Sequence, residues 1–337
     1  MYSPAEKTET ASDAKPQKHT SPDIDDLETL QNCRVSLMAS LSDGLPTLPA
    51  YVFELNTLLS TTPVDMKRAG EVIRTDPSLT AQVIRLANSV LLGLRERVSS
   101  IEHAVVLLGT ERLRTLVLTC SLLEYVGQKL TTKDVQAFWQ HCFLTATLGE
   151  RLARGTGYPQ PEQTYLAGLL HDVGTIPLLV ICDSWKGPVE NPSLEGWGES
   201  VKLERERFGT DHCEIGRWIG VSWNFAPALL EVFEYHHSPR EARNDPHLVG
   251  IVAAADQFCV RRGIVLGGQP PELDESALEH NDELLRSCLP QLTAEDSKKL
   301  GEMMESDFLH LVQLLEFGAA GLFGGGIPEN PFREDVP

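Results

Sequence analysis

Histidine and aspartate residues lie within apolar segments in the second half of this 337-residue chain. The clearest case is the doublet His171–Asp172, which interrupts the apolar run LAGLLHDVGTIPLL. Burying an unpaired carboxylate is costly, so a buried Asp172 needs a cation or a set of hydrogen-bond donors around it. The doublet therefore indicates either a metal site or a structural polar network.

Other residues of the same types extend this set along the chain. The candidate metal ligands are His141, His171, Asp172, His212, His236, His237 and Asp256. Imidazole and carboxylate groups suit Mn, Fe, Zn or Ni, and ligands that project from separate helices of a bundle can build a mononuclear or dinuclear centre. A dinuclear centre can generate hydroxide from bound water and hold a phosphoryl group. No catalytic residue is assigned firmly, and Asp172 is the candidate.

The His171–Asp172 doublet also has a purely structural interpretation. In this alternative, His171 and Asp172 form hydrogen bonds to helix ends and stabilise the fold without binding an ion. For four other histidines, a surface or capping role is the simpler interpretation. These histidines are His103, His247, His280 and His310.

The elements that position the candidate ligands are helices. Apolar residues recur at helical spacing, as Leu79, Val83 and Leu86 do in the segment SLTAQVIRLANSVLLG. Asp76 and Thr110 have the side chains that favour helix N-caps, and Gly109 is expected to end one helix before Thr110 begins the next. No segment alternates between apolar and polar residues in the manner of a strand. The sequence predicts an all-α protein.

Composition divides the helical region into parts with a tail at each end. The predicted parts are a disordered tail over 1–28, a first helical lobe over 40–127, a second lobe over 132–265, a helical extension over 270–317 and a flexible tail over 318–337. The apolar positions of the extension are Leu300, Met304, Leu311 and Leu315. We expect this face to cover the second lobe, although a dimer or partner surface is an alternative and the oligomeric state is left open.

Charge and cysteine content limit the class of partner. The chain carries 48 acidic and 29 basic residues, a net charge of −19 that repels nucleic acid and anionic membranes. The apolar runs are too short to span a membrane, and the polar N-terminus lacks the apolar core of a signal peptide. The seven cysteines form no CxxC pair, which is typical of reduced thiols. These features predict a cytoplasmic protein that binds neither nucleic acid nor membranes.

The order of the candidate ligands resembles the HD superfamily of metal-dependent phosphohydrolases. An early histidine precedes a His–Asp doublet, and a late aspartate follows. The segments DHCEIG and EYHH resemble the HD-GYP branch, whose members hydrolyse cyclic di-GMP. The resemblance implies that all seven candidate residues occupy metal-ligand positions.

The first half of the chain resembles the HDOD family, the HD-related output domain. The matching motifs are Leu48–Pro49, Asp76–Pro77–Ser78–Leu79 and Asn88–Ser89. With GLLHDVG and the segment around EYHHSP, the resemblance covers roughly residues 40–265. It implies a two-lobed helical architecture whose second lobe is an HD-like bundle. HDOD proteins are generally regarded as signalling or regulatory modules without established catalysis.

Two departures from the HD-GYP pattern weigh against catalysis. Thr175 stands where those enzymes have a lysine after the His-Asp-x-Gly motif. The chain continues from the His–His element as HHSPREARNDPHLVG, without the Asp-Gly-x-Gly-Tyr-Pro loop. Arg240 and Arg243 are the nearby cations that can compensate, although loop arginines are usually just solvated.

Three functions follow from these observations. The favoured hypothesis is a signalling or regulatory module, non-catalytic or weakly catalytic, that binds a protein partner or a ligand and keeps a His/Asp metal site. The alternative enzyme is a metal-dependent phosphodiesterase that acts on a cyclic dinucleotide or a related phosphorylated compound. The third hypothesis is a sensor in which a metal or nucleotide changes the packing of the lobes without turnover.

Overall fold

The computed structural model describes five long stretches of the chain and a few residues before them. The described residues are 64–88, 97–127, 132–181, 198–265 and 281–322, with 35, 54–55 and 57–59. Regular structure in these residues is helical throughout, so the predicted all-α fold class is confirmed. The predictions for 1–28, for Leu48–Pro49 and for 323–337 lie outside the described residues.

Three helices of the described residues belong to the N-terminal part of the fold, in addition to short helical stretches at 54–55 and 57–59. The three helices are α1 (Met66–Arg74), α2 (Pro77–Ala87) and α3 (Ile101–Gly127). The Asp76 carboxylate accepts a hydrogen bond from the Leu79 backbone N–H at 3.1 Å, as expected for an N-cap. Gly109 has a φ of 70°, which breaks the helical geometry inside α3 at the predicted position.

Asn88 lies directly after α2 and forms hydrogen bonds with the backbone of Val98. Its side-chain amide donates to the backbone carbonyl of Val98 at 2.7 Å, and its Oδ1 accepts from the Val98 N–H at 2.7 Å. The amide also donates to the carbonyl of Ile84 at the end of α2. Asn88 thus satisfies backbone groups that the helix end leaves unpaired.

In the next part of the chain, the described residues form seven helices, and the candidate ligands lie in or directly after five of them. The seven helices are α4 (Thr132–Thr156), α5 (Pro161–Leu170), α6 (Thr175–Ile181), α7 (Glu199–Phe208), α8 (His212–Ser222), α9 (Pro227–Tyr235) and α10 (Pro246–Val260). A short 3₁₀ turn, Pro239–Glu241, joins α9 to α10. Residues 248–260 of α10 are all buried, which makes this helix the centre of the C-terminal part.

The apolar core divides in the same way as the helices. One cluster contains Leu55, Ile73, Leu79 and Leu113 together with their neighbours in the first three helices. A larger cluster contains buried side chains from Leu118 to Leu311 and surrounds α10. The exact bounds of the predicted lobes stay a prediction.

The N-terminal helices contact the larger cluster through α3. Arg112 Nη2 in α3 lies 3.6 Å from Glu150 Oε1 in α4. Leu116 in α3 and Tyr165 in α5 line one small cleft at this contact. In the C-terminal part, α3 thus touches α4, which carries His141, and α5, which ends before the His171–Asp172 doublet.

The C-terminal helices cover the larger cluster. They are α11 (Asn281–Cys288) and α12 (Ala294–Leu322), and α12 extends into the segment predicted as a flexible tail. Leu300, Met304 and Leu311 of α12 are buried in the cluster, in agreement with the expected covering role. Among the described residues, we find no helix that combines the length and the apolar character needed to cross a bilayer.

Arg262 joins this cover to α10. Its guanidinium lies 3.4 Å from the ring centroid of Phe258 and forms an ion pair with Glu305 of α12. Its Nη2 also donates to Asn281 Oδ1 at 3.3 Å. The Arg262 side chain is 3% exposed, whereas that of Glu305 is 41% exposed.

We expect Arg262→Ala to lower the free energy of unfolding by about 2 kcal/mol, because it removes charged hydrogen bonds from a buried position. Denaturant unfolding measures this loss. Arg154→Ala is the matched control, since Arg154 bridges Glu150 and Glu162 from a side chain that is 51% exposed. The control is expected to lose less than about 1 kcal/mol. Equal losses in the two variants would contradict the structural role of Arg262.

Candidate metal centre

The structure brings all seven candidate ligands into one buried cluster. His141 lies within α4, the His171–Asp172 doublet follows α5, His212 begins α8, His236 and His237 follow α9, and Asp256 lies within α10. His237 is half-buried, and the other six residues are buried. Three helices and the ends of two others therefore deliver imidazole and carboxylate groups to one place. Their role as metal ligands stays a prediction.

One half of the cluster surrounds His141. Its Nε2 lies 3.2 Å from His171 Nε2, 3.2 Å from Asp256 Oδ1 and 3.4 Å from Asp172 Oδ2. His171 Nε2 lies 3.3 Å from the same oxygen of Asp172. Two imidazole nitrogens and two carboxylate oxygens thus converge on a single point.

The other half of the cluster surrounds Oδ1, the second carboxylate oxygen of Asp172. Asp172 Oδ1 is 3.3 Å from His236 Nε2 and 3.7 Å from His212 Nε2. The two Nε2 atoms are 3.4 Å apart. The His237 ring lies next to them, with its centroid 4.3 Å from that of His236. Asp172 therefore stands between two pairs of histidines and presents one oxygen to each pair.

Backbone carbonyls fix the protonation of three of these rings. The Nδ1–H groups of His141 and His171 donate to the carbonyls of Ile264 at 2.9 Å and Gly168 at 2.7 Å. His236 Nδ1–H donates to the carbonyl of Val232 at 3.0 Å. Because a carbonyl only accepts, each Nδ1 carries the proton and each neutral ring turns the lone pair of Nε2 into the cluster.

Glu204 accepts the Nδ1–H of His212, as the backbone carbonyls do for the other three rings. The carboxylate of this fully buried residue accepts from the backbone N–H of His212 at 2.8 Å and from its Nδ1–H at 2.7 Å. A carboxylate behind a histidine is the usual outer partner of a metal ligand. The sequence analysis missed Glu204, because an acidic residue within the polar segment ESVKLERERF looks like a solvated helix surface.

The spacing of these atoms fits metal ligands better than hydrogen bonds. Two neutral Nε2 atoms that face each other repel through their lone pairs unless a cation lies between them. Zinc–nitrogen bonds of about 2.05 Å in a tetrahedron separate two ligand nitrogens by about 3.4 Å. The separations of 3.2 Å and 3.4 Å in the two histidine pairs agree with that value. The donor set therefore fits two divalent ions that share Asp172.

Around His141 and His171, the charges of the cluster oppose the effect of burial on the pKa values. Burial alone lowers the pKa of His171, but Asp172 and Asp256 outweigh it and raise this pKa to about 9. The same carboxylates hold the pKa of His141 well above its usual value against burial. Burial raises the pKa of a carboxyl group, yet the neighbouring histidines hold that of Asp172 well below its usual value. In the metal-free protein, protonated imidazoles therefore supply the positive charge next to these carboxylates.

This protonation predicts how pH affects the metal-free protein. Since the folded pKa of His171 of about 9 exceeds its unfolded value of about 6.5, its stabilising contribution is complete below pH 6.5 and is lost as pH rises towards 9. We expect the Tm of protein in chelator to fall over this interval. Zinc should reverse the fall, because metal ions compete better for deprotonated Nε2 at high pH.

Thermal unfolding between pH 6.5 and pH 9, in chelator and with added zinc, measures how Tm changes with pH in each state. A Tm in chelator that rises from pH 6.5 to 9 would contradict the assigned protonation.

The positions considered for contact with a phosphate differ in burial. Thr175, at the position of the missing lysine, is buried with 1% exposure in the first turn of α6. Arg240 and Arg243 are exposed in the segment between α9 and α10. Among the described residues, the ion-pair partners of Asp172 and Asp256 are histidines, with no lysine or arginine.

Solved structures share this architecture. An HDOD domain protein of unknown function from Geobacter sulfurreducens is 26% identical, with a TM-score of 0.66 over 86% of this chain and 98% of that one. A candidate phosphohydrolase from Shewanella amazonensis is also 26% identical, with a TM-score of 0.60 over 83% of this chain and 98% of that one. Both likenesses extend over most of the described helices.

A relative of known sequence and a family model complete the comparison. An uncharacterized protein from Treponema pallidum is 23% identical over 234 residues, which are 67% of this chain and 45% of the relative. The chain thus spans less than half the length of that relative. The model of the HDOD domain matches residues 45–239, which agrees with the resemblance seen in the motifs. This chain belongs to the HDOD domain family.

Proposed function

We propose that this protein is a regulatory HDOD module that holds two divalent metal ions and signals through a protein partner. The observation that carries the proposal is the position of Asp172 between two histidine pairs, each with Nε2 lone pairs turned inward. In this proposal the protein acts in the cytoplasm, and its net charge of −19 favours a protein partner over nucleic acid.

The first ion would be held by His141, His171, Asp256 and one oxygen of Asp172. The second would be held by His212, His236, His237 and the other oxygen of Asp172. Bound ions supply positive charge to the buried carboxylates and acidify bound water. The residues of this chain hold the rings in orientation through Gly168, Val232, Ile264 and Glu204.

A route from the ions to the rest of the molecule supports a regulatory role. Helix α4 carries His141 and also Glu150, which lies 3.6 Å from Arg112 of α3. Helix α5 carries Tyr165 at the cleft with α3 and ends directly before His171. Ions that fix His141 and His171 therefore fix the surface on which α3 packs. Loss of the ions should loosen the N-terminal helices.

A metal-dependent phosphodiesterase is the second candidate function. The complete donor set favours it, as does the name of the Shewanella amazonensis relative. By the HD-GYP resemblance its substrate would be a cyclic dinucleotide or a related phosphorylated compound. The absence of lysine or arginine partners for the two aspartates among the described residues weighs against it, because a phosphodiester brings negative charge to the site.

Hydrogen exchange and a turnover assay separate the two functions. We expect metal removal from the wild-type protein to increase amide exchange in α3, residues 101–127, and we expect neither cyclic di-GMP nor bis(p-nitrophenyl) phosphate to be hydrolysed with Mn, Fe, Zn or Ni. Asp172→Asn, with and without metal, is the control for effects of metal outside the cluster.

Each outcome of this experiment has a definite meaning. Unchanged exchange in α3 after verified metal removal would overturn the regulatory route. Metal-dependent hydrolysis that Asp172→Asn abolishes would establish the phosphodiesterase instead. A protein that binds no metal under any of these conditions would overturn both.

A further inference from the structure

A thiol faces the second half of the cluster. Cys213 follows His212 in the first turn of α8 and is 4% exposed. Its Sγ lies 3.5 Å from His212 Nε2. One ligand atom each from Cys213, His212, His236 and His237 lies within 4.8 Å of every other. Sulfur is therefore a fourth donor at this point, in addition to three imidazoles.

The position of the sulfur fits a shared ion. Bond lengths of about 2.05 Å for zinc–nitrogen and 2.3 Å for zinc–sulfur give a tetrahedral nitrogen–sulfur separation of about 3.6 Å. The observed separation of 3.5 Å agrees with this value. His212 Nδ1–H is committed to Glu204, so the neutral ring of His212 directs the lone pair of Nε2 towards the sulfur.

Two other buried cysteines show that proximity in sequence does not suffice. Cys142 follows His141, and Cys259 lies one turn of α10 after Asp256. Both are fully buried, yet neither belongs to a group of potential ligands among the described residues. Of these three thiols, the one at Cys213 is turned towards the histidines. Cys142 and Cys259 therefore provide matched controls.

We propose that Cys213 supplies a thiolate ligand to the second ion, which adds sulfur to the three imidazoles and the Asp172 oxygen of this half of the cluster. The inference rests on the metal centre of the proposed function. On binding, the S–H bond breaks, the sulfur–metal bond forms and the proton passes to solvent. Among the described residues, the first half of the cluster offers nitrogen and oxygen donors without sulfur.

The two halves then differ in the ions they select. A thiolate favours Zn, Fe or Co over Mn and Mg, whereas imidazole and carboxylate donors accept a wider range. The second ion should therefore be zinc-like and tightly held, and the first should exchange more freely. Of the predicted metals Mn, Fe, Zn and Ni, a thiolate ligand disfavours Mn in the second half of the cluster.

Cobalt reports directly on sulfur coordination. We expect wild-type protein loaded with Co(II) to show a near-ultraviolet thiolate-to-cobalt charge-transfer band. Cys213→Ser should lose this band while it keeps visible cobalt absorption from the histidine ligands. Cys259→Ser should keep both. Loss of a direct ligand should also weaken binding of the second equivalent of zinc by more than the roughly 10- to 100-fold that loss of an outer partner costs.

A measurement on the wild-type protein guards against a variant that fails to fold. X-ray absorption at the zinc edge should show one sulfur at about 2.3 Å among nitrogen and oxygen neighbours. Two bound ions without sulfur at that distance, or a charge-transfer band that persists in folded Cys213→Ser, would overturn this inference and leave the proposed function intact. Failure to bind any cobalt or zinc would overturn the proposed metal centre as well.

Discussion

Asp172→Ala is expected to lower the metal content from about two equivalents to about a tenth of one or less, because its two oxygens serve both halves of the cluster. No other residue of the cluster approaches both histidine pairs through separate oxygens among the described residues. Mass spectrometry of untagged protein measures the content. Asp172→Asn should lose metal as well, although it keeps the volume of the side chain, since a neutral amide does not balance two cations.

Asp245→Asn is the matched control for this variant. Asp245 belongs to the same part of the fold, caps α10 through the Leu248 N–H and accepts a 2.6 Å hydrogen bond from the Tyr158 hydroxyl. We expect its loss to lower stability and to leave the metal content unchanged. Metal at wild-type stoichiometry in folded Asp172→Ala would refute the assignment of Asp172 as a bridging ligand.

Gly174→Ala is expected to prevent normal folding of the metal-binding helices. A Cβ at this position would lie 1.9 Å from the backbone oxygen of His212 and 2.5 Å from the backbone nitrogen of Gly216. Backbone atoms of α8 cannot yield without moving the helix that begins with His212. We expect a loss of about 4 kcal/mol or more in the free energy of unfolding, or insoluble protein, together with loss of metal.

Gly70→Ala tests whether the destabilisation expected for Gly174→Ala is specific to the contact between Gly174 and α8. A Cβ at Gly70 meets Ile101 Cγ2 at 3.6 Å, an ordinary contact, and alanine is favoured over glycine within α1. This control is expected to leave stability unchanged or raise it by up to about 1 kcal/mol. Denaturant unfolding measures both variants. Gly174→Ala within about 1 kcal/mol of the wild type would contradict the close approach of α8 to this glycine.

Local features of the sequence were sufficient to predict the helices and the residue types of the cluster. Helical spacing, the Asp76 cap and the break at Gly109 each depend on a few neighbouring residues. The His171–Asp172 doublet was informative because a carboxylate in an apolar run must find a partner wherever the chain folds. These signals act over one or two helical turns and are therefore visible in the chain alone.

The division of the cluster into two halves was decided by the tertiary structure. Which oxygen of Asp172 faces which histidine pair depends on how α4, α8 and α9 pack around the end of α5. Glu204, Cys213 and Gly174 gave no signal of their own. They resemble a surface acid, a core thiol and a turn residue, and their roles arise from contacts with His212.

The sequence by itself thus determined an all-α HDOD protein with a His/Asp cluster in its second half. The tertiary structure alone decided the position of Asp172 between two histidine pairs, the outer carboxylate of Glu204 and the sulfur next to the second pair. The physical reason is that side-chain types and helix propensity are local properties, whereas separations of a few ångströms between distant residues are set by the packing of whole helices.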